Sequence, residues 1–186
     1  MDTVCARRPP RCTRRNVISS TSNAPPAVID GLKIAPKNGV LTTKFYDSTE
    51  TLLHGLKIAL DKNIYVTLYL DSKFECTTPQ LRVGLKRLCQ SKKFAGMTML
   101  LDCHEMPERV PHMDIPRTAE YCGAQLAVYG SFSRTYGLPG ACVAGRKQLI
   151  SELRYSSREY IFTTCQLPFV MGMIAEALKS GKESSS

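Results

Sequence analysis

The segment GSFSRTYGLPGACVAG, residues 130–145, combines side chains that suit the attachment of a ligand. A glycine turn is followed by two serine hydroxyls, a basic side chain and a second glycine-rich turn. A basic residue in such a place often holds a cofactor through its amine. The residue present is Arg134, whose guanidinium stays protonated at physiological pH and has no free lone pair to attack an aldehyde. The residue types therefore predict no covalent adduct at Arg134.

Asp102 is the second candidate, because it ends the apolar segment GMTMLLDC. A carboxylate at the end of a buried strand needs a partner, so it either faces a site or forms a cap or rim salt bridge. Acidic, thiol and imidazole groups follow it at Cys103, His104, Glu105, His112 and Asp114. Their spacing matches no standard metal frame, so an ordinary polar loop is favoured and no metal ligand is predicted.

Other catalytic motifs are absent from the sequence. It contains no Gly-x-Ser-x-Gly elbow, Walker loop or dinucleotide fingerprint. Cys103 beside His104 is a weak nucleophile pair, because adjacent side chains on an extended chain point in opposite directions.

Strands alternating with amphipathic helices position these residues. A helix is predicted from Asp47, with Asp47 and Glu50 as a capping box, and a second helix with Thr78 as N-cap and Pro79 at its first position. Four apolar strands are predicted in NIYVTLYL, GMTMLLDC, AQLAVYG and GACVAG. The pattern predicts an α/β fold with a mostly parallel sheet covered by helices on both faces. Ligands collect beyond the carboxyl ends of such strands, where Asp102 and the 130–137 turn would meet.

Composition and charge bound the domain organisation. The chain has 186 residues, 43% of them hydrophobic, which suits one domain or a fragment of something larger. The net charge of +9 owes much to five arginines in the first fifteen residues. We predict a disordered basic arm over residues 1–26, a folded part over 27–180 and a polar tail over 181–186. A solvated arm is favoured over specific nucleic-acid binding, and mitochondrial import is the less favoured alternative.

Eight cysteines are widely spaced and form no Cys-x-x-Cys pair. Free buried thiols in a reducing compartment are therefore predicted rather than disulfides. The longest apolar stretches are too short to cross a bilayer, so no transmembrane segment is predicted.

The segment GSFSRTYG resembles Gly-Thr-Phe-Ser-Lys-x-Phe-Gly of the α-oxoamine synthase family, which includes serine palmitoyltransferase, 5-aminolevulinate synthase and 8-amino-7-oxononanoate synthase. These are fold-type I, aminotransferase-like enzymes that use pyridoxal phosphate (PLP), and the lysine of that motif forms their Schiff base. Similar segments follow the family order from about residue 31 to residue 178. They are GLKIAPKNGVLTTKFYDSTETL, LYLDSKF, LLDCHE, GLPGACVAGRKQLISELR and YIFTTCQLPF.

The resemblance implies roles for individual residues. Asp102 would pair with the pyridinium nitrogen of PLP, and Ser131 would contact its phosphate. Thr164 would lie near the phosphate of a neighbouring subunit's site, and Ser72 matches the serine that ends the earlier strand. Arg134 occupies the lysine position, so PLP is implied as a cofactor that this chain does not bind covalently.

The sequence also departs from the family pattern. The family histidine falls on Glu105, and His104, one place early, would face away from the site on an extended chain. The glycine-rich loop after Asp102 is replaced by MPERVPHMDIPR. The amino-terminal part and the carboxy-terminal small domain of the family have no counterpart here, so a truncated major domain is predicted.

The first functional hypothesis is a pseudoenzyme: the non-catalytic subunit of a serine palmitoyltransferase-like acyltransferase in sphingolipid biosynthesis. It would form a heterodimer with a catalytic family subunit, and acyl-CoA and an amino acid would be substrates of the complex. The alternative is a degenerate or truncated α-oxoamine synthase without activity. A third hypothesis, an active enzyme, would need another lysine to form the Schiff base in place of the missing one. Lys147 is the candidate, but it is better explained as a solvated helix residue. The resemblance implies an intracellular location, cytoplasmic or peripheral to the endoplasmic reticulum.

Overall fold

A six-stranded sheet organises the chain. The computed structural model describes residues 16–34, 42–62, 64–72, 79–90, 96–105, 119–120, 122–162 and 165–183. The sheet order is β2-β1-β3-β4-β5-β6. The strands are β1 Asn16–Thr21, β2 Thr42–Tyr46, β3 Tyr65–Asp71, β4 Met97–Asp102, β5 Gln125–Ser131 and β6 Ala141–Gly145. Only β6 runs antiparallel to its neighbour in this sheet, so the predicted mostly parallel α/β fold is confirmed.

Seven helices connect or flank these strands within the described ranges. They are α1 Pro26–Ile34, α2 Thr49–Asp61, α3 Pro79–Cys89, α4 Phe132–Tyr136, α5 Lys147–Ser156, α6 Arg158–Phe162 and α7 Pro168–Glu183. None of these helices has the length and apolar content needed to span a bilayer.

The main core lies between the sheet and the pair α2 and α3. Apolar residues four apart place Leu52 and Leu56 on one face of α2, and Leu81 and Leu85 on one face of α3. All four side chains are fully buried against β3 and β4. The near-continuous apolar sequences of β3 and β4 follow from this position, because central parallel strands are covered on both faces.

A smaller cluster forms at the other end of the chain. Val170 and Ile174 of α7 pack with Phe132 of α4, and Tyr136 and Leu178 join them. This contact fixes the short helix α4, which carries Arg134.

The predicted capping box of α2 is wrong by one residue. Ser48, not Asp47, is the N-cap: its hydroxyl accepts a hydrogen bond from the Thr51 N–H at 3.2 Å. The Thr51 hydroxyl lies 3.2 Å from the Ser48 N–H and accepts from it. A hydroxyl at the third helical position replaces the expected Glu50 because it reaches back equally well. Thr78, the predicted cap of α3, lies outside the described residues.

The predicted arm over residues 1–26 is wrong for its second half. Asn16–Thr21 forms β1, which pairs with β2 on one side and β3 on the other. Val17 and Ile18 are buried there, and so are the hydroxyl residues Ser19 and Ser20. The sequence NVISST carries only two consecutive apolar residues, so its burial follows from the pairing rather than from a visible pattern. Residues 1–15 lie outside the described residues.

The prediction that all cysteines are free is also wrong. Cys89, the last residue of α3, forms a disulfide with Cys122, and the two Cα atoms lie 5.1 Å apart. Wide spacing in the sequence did not reveal the pair, because α3 and the turn before β5 approach each other only in the folded sheet. Cys103, Cys142 and Cys165 take no part in this disulfide, and the Cys165 thiol is exposed.

Candidate functional site

Two carboxylates meet at the carboxyl ends of the central strands. Asp71 ends β3 and Asp102 ends β4, and the parallel register places them side by side. Asp71 is fully buried and Asp102 is 7% exposed. Ser72 extends this edge, because its N–H donates to the Asp102 carbonyl at 2.9 Å. Two acids at one buried edge require donors, since an unpaired buried charge is costly.

Tyr69 and His104 supply donors to Asp102. The Tyr69 hydroxyl donates to Asp102 Oδ2 at 2.8 Å, and the His104 backbone N–H donates to Asp102 Oδ1 at 2.8 Å. Hydrogen bonds of this kind fix the orientation of a carboxylate. Asp102 is thus held in one orientation at the end of its strand.

The imidazole of His104 joins the two acids. His104 has a φ of 54°, in the left-handed region, so the chain turns back instead of continuing extended. Its Nε2 lies 2.7 Å from Asp71 Oδ2, and its Nδ1 lies 3.9 Å from Asp102 Oδ1. The prediction that His104 faces away from the site is therefore wrong. The reason is the backbone turn, which the assumption of an extended chain had excluded.

A cluster of hydroxyls adjoins Arg134 at the end of β5. The buried Ser131 Oγ lies 2.7 Å from Ser133 Oγ. The helix α4 begins directly after Ser131 and is capped by Gly137, whose φ of 69° lies in the left-handed region that glycine adopts without strain. Arg134 lies within this short helix and its side chain is exposed. The turn thus presents two hydroxyls and one guanidinium together.

The Asp102–His104 pair and the hydroxyl cluster beside Arg134 line one cavity of about 670 Å³. Asp102 and His104 lie in its wall with Ser131, Ser133 and Arg134. Most of the remaining wall is apolar and comes from α1 and the sheet, including Val28, Leu32, Tyr69, Leu100, Ala127, Tyr129 and Val143. An apolar cavity with a few convergent polar groups is the usual form of a ligand site.

The structure brings together three of the residues predicted for the site, Asp102, Ser131 and Arg134. Ser72 is buried at the same sheet edge but does not line the cavity. Thr164 lies outside the described residues. Lys147 is exposed at the start of α5 and is not part of the cavity wall.

Sequence reasoning missed Tyr69, Asp71 and the contribution of α1. Asp71 had a usable signal, because it ends its apolar strand just as Asp102 does. Tyr69 gave none, since a tyrosine inside a strand is normally a packing residue.

Cys103 is a buried thiol beside this site. Burial raises its pKa to about 11, and the charges of Asp102 and Cys142 add to the effect. The thiolate is the nucleophilic form of cysteine, so Cys103 does not supply a nucleophile near neutral pH.

Of the polar loop after Asp102, the structure describes residues 103–105. His112 and Asp114 lie outside the described residues. No set of three or more possible metal ligands occurs in the described part of the chain.

The family model for aminotransferase class I and II matches residues 102–185. A curated protein of Acetivibrio thermocellus, named as an 8-amino-7-oxononanoate synthase, is 33% identical over 91 residues. That match covers 47% of this chain and 23% of the relative.

Solved serine palmitoyltransferases have the same fold. The enzyme of Sphingomonas wittichii matches with a TM-score of 0.64 and 17% identity, over 90% of this chain and 41% of the other. A variant from S. paucimobilis, solved with a PLP–myriocin aldimine, matches with a TM-score of 0.57 and 19% identity, over 84% of this chain and 38% of the other. This chain therefore spans about two fifths of these structures and less of the curated relative. The predicted resemblance and the aminotransferase-like fold are confirmed.

The residues present fit one part of a PLP molecule and not another. The buried, hydrogen-bonded Asp102 carboxylate suits a protonated ring nitrogen. The aldehyde would need a lysine amine, and none of the described residues in the cavity wall is a lysine. The described part of the cavity wall is suited to the ring and offers no lysine for its covalent attachment.

Proposed function

We propose, from the premise that this chain is a serine palmitoyltransferase-like relative of the α-oxoamine synthases, that it is the non-catalytic subunit of such an acyltransferase. The observation that carries the proposal is Arg134 in the wall of the cavity that also holds Asp102. By the family resemblance, position 134 is where the enzymes of the family carry their Schiff-base lysine.

The chemistry of Arg134 supports a role without catalysis. When bound covalently to a lysine, PLP supplies an electron sink for bonds at the amino-acid carbon. A guanidinium cannot form that bond, because its nitrogens are delocalised and protonated. Tyr69, Asp102 and His104 still form an ordered hydrogen-bonded group. The chain thus keeps the groups that suit the pyridine ring but has no lysine nucleophile at position 134.

Exposed apolar side chains support a partner. On α6 and at the start of α7, large apolar residues are at least about half exposed: Tyr160, Ile161, Phe162, Leu167, Phe169, Met171 and Met173. Large apolar side chains left exposed on neighbouring segments are a feature of interaction surfaces and of surfaces that aggregate. A related catalytic subunit forming a heterodimer is the partner that we propose, with acyl-CoA and an amino acid as substrates of the complex.

In this proposal the complex acts in sphingolipid biosynthesis, in the cytoplasm or at the periphery of the endoplasmic reticulum. The test is co-expression of the tagged full chain with a catalytic serine palmitoyltransferase subunit of the same organism. We expect the two to co-purify in equal amounts, and the solubility of this chain to rise. After borohydride treatment with PLP, the trapped adduct should lie on the catalytic subunit alone.

Two outcomes contradict the proposal. A borohydride-trapped adduct on a lysine of this chain would show that it is catalytically equipped. Failure to co-purify, with no adduct on this chain either alone or in the mixture, would instead favour a degenerate α-oxoamine synthase fragment.

A further inference from the structure

The strand β6 forms an open edge of the sheet. It is the last strand in the order β2-β1-β3-β4-β5-β6 and pairs only with β5 among the described residues. Its central residue, Val143, is 48% exposed. An edge strand presents a row of unpaired backbone N–H and C=O groups, which can pair with another chain. β6 therefore offers a template for one more strand.

The register indicates which backbone groups of β6 point outward. The Tyr129 carbonyl accepts from the Cys103 N–H at 3.0 Å, so the backbone groups of Tyr129 face β4. Val143 lies opposite Tyr129, and hydrogen-bonded and non-hydrogen-bonded positions alternate along an antiparallel pair. The backbone groups of Val143 therefore point away from β5, as do those of Ala141 and Gly145. No hydrogen bond from a described residue reaches these outward groups.

The two edges of the sheet differ in how they oppose the addition of a strand. Edge strands commonly carry a charged residue or a proline that hinders pairing with another chain. The opposite edge strand, β2, has the exposed Lys44 at its centre. The sequence of β6, ACVAG, contains neither a charged residue nor a proline. Of these two edges, β6 is the one that suits strand addition.

A groove of about 360 Å³ lies beside this edge. β6 contributes Ala141, Cys142 and Val143 to its wall. Successive strand residues face opposite sides of a sheet, so a groove that touches all three lies at the edge rather than on one face. The rest of the described wall comes from α5 and the segment after it, namely Ile150, Leu153, Arg154, Ser157 and Tyr160. A strand paired with β6 would lie between β6 and α5.

The groove carries positive charge. Arg154 lies in its wall, is exposed and forms no ion pair with a described residue. Arg146 and Lys147, both exposed, follow the last residue of β6 in the chain. None of the described wall residues is acidic. An acidic side chain on the incoming strand therefore complements this groove.

We propose that β6 binds an extended, acidic peptide segment of a partner protein as an additional strand of the sheet. Backbone hydrogen bonds to Val143 and its outward-facing neighbours supply affinity, as in other cases of strand addition. An aspartate or glutamate of the segment pairs with Arg154, and its apolar side chains contact the groove wall. The proposal goes beyond the proposed function, because it depends neither on Arg134 nor on a catalytic subunit.

The test begins with a phage-displayed library of random peptides of about ten residues, the upper length of an ordinary strand, selected on the immobilised full chain. We expect the enriched peptides to alternate apolar and polar residues and to contain Asp or Glu. A synthetic copy of one enriched peptide is then the probe for amide hydrogen exchange. At saturation it should slow exchange at Val143 and Gly145 by at least about tenfold. The amides of Cys142 and Ala144 should change little, because they face β5.

A charge reversal tests the role of Arg154. Arg154→Glu should weaken binding of the acidic peptide by at least about tenfold, because an attractive pair becomes a repulsive one. A peptide with Lys in place of its acidic residue should bind this variant more tightly than it binds the parent chain. Arg87→Glu is the matched control, because Arg87 is an exposed arginine on α3 outside this groove, and it should change neither dissociation constant.

A backbone variant tests the strand pairing itself. Val143→Pro removes the outward N–H at the centre of β6 and spares the hydrogen bonds to β5, so an edge strand tolerates it. It should weaken the peptide by at least about tenfold. Val143→Thr keeps the N–H and a β-branched side chain, and should change the dissociation constant by less than about threefold.

The proposal is overturned if no peptide is enriched, or if the bound peptide protects no amide of β6. It is also overturned if the chain forms a dimer that Val143→Pro converts to a monomer, since a second copy would then occupy the edge. None of these results depends on co-purification with a catalytic subunit. This proposal and the proposed function can therefore fail separately.

Discussion

His104 Nε2 lies 2.7 Å from Asp71 Oδ2, and this contact joins the ends of two neighbouring strands. The imidazole reaches Asp71 only because His104 adopts a left-handed backbone. The same turn directs the His104 N–H to Asp102 at 2.8 Å. One residue thus orients both acids, by its side chain for Asp71 and by its backbone for Asp102.

Removal of this imidazole should destabilise the fold. In His104→Ala the fully buried Asp71 loses a hydrogen-bond donor, which costs about 1–3 kcal/mol for a buried polar group. The measurement is the free energy of unfolding in urea. The control is His54→Ala, since His54 is exposed on α2 and should change that energy by less than about 0.5 kcal/mol. Equal effects of the two substitutions would contradict the structural role of His104.

The packing of α3 gives a second prediction. Leu85 is fully buried against the sheet, and Val83 on the same helix is 48% exposed. Leu85→Ala should lower the free energy of unfolding by about 2–5 kcal/mol, through lost burial and the cavity that remains. Val83→Ala should change it little. If the two variants unfold at the same urea concentration, the described face of α3 is not the buried one.

The central strands could be predicted from the sequence because burial makes β3 and β4 almost continuously apolar up to their final aspartates. β1 could not, because its hydroxyl residues Ser19 and Ser20 are buried by pairing with both neighbours. The antiparallel direction of β6 could also have been predicted, from the length of its connection to β5. Residues 132–140 are too few for a crossover to a parallel strand, which needs a dozen residues or more.

The candidate site was predictable to a similar extent. Asp102, Ser131 and Arg134 lie at or beyond strand ends, and a parallel sheet gathers such positions at one edge. His104 was misplaced because sequence spacing does not reveal a single residue with positive φ. The Cys89–Cys122 pair was missed for a related reason: its residues approach each other only through the sheet.

The Cys89–Cys122 disulfide should contribute to stability. It joins residues separated by 33 positions, and the closed loop contains β4 with Asp102. In the chain-entropy model a loop of this length is worth roughly 3–4 kcal/mol. Cys89→Ser should therefore lower the Tm, and dithiothreitol should lower the Tm of the parent chain but not that of Cys89→Ser.

The control for this prediction is Cys165→Ser, because Cys165 is a free and exposed thiol. That variant should keep both the parent Tm and its sensitivity to the reductant. The disulfide itself should appear as a linked peptide of Cys89 and Cys122 in a non-reducing digest. A Tm independent of reductant would contradict the stabilising role.

The pKa of Cys103 predicts how stability depends on pH. Burial, with added repulsion from Asp102 and Cys142, raises this pKa from 9.0 to about 11. The unfolded chain then loses the thiol proton at lower pH than the folded chain. The contribution of Cys103 to the free energy of unfolding is complete below pH 9 and is lost as the pH rises toward about 11.

The measurement is Tm against pH for the parent chain and Cys103→Ala. The difference in Tm between them should narrow from pH 9 to about 11, since only the parent has this thiol. Below pH 9, iodoacetamide should label the exposed Cys165 before the buried Cys103. Rapid labelling of Cys103 in the folded chain at pH 8 would contradict its burial.

The exposed apolar surface of α6 and α7 gives the last prediction. Phe162 is 77% exposed and Phe169 is 65% exposed, so neither contributes much to the core. The double substitution Phe162→Ser and Phe169→Ser should raise the solubility of the isolated chain and leave its Tm nearly unchanged. It should also weaken co-purification with the catalytic subunit by about tenfold or more, because buried aromatic residues dominate interface energies. Val83→Ser, which replaces an exposed residue on α3, should alter neither property. Unchanged co-purification of the double variant would place the proposed interface elsewhere on the chain.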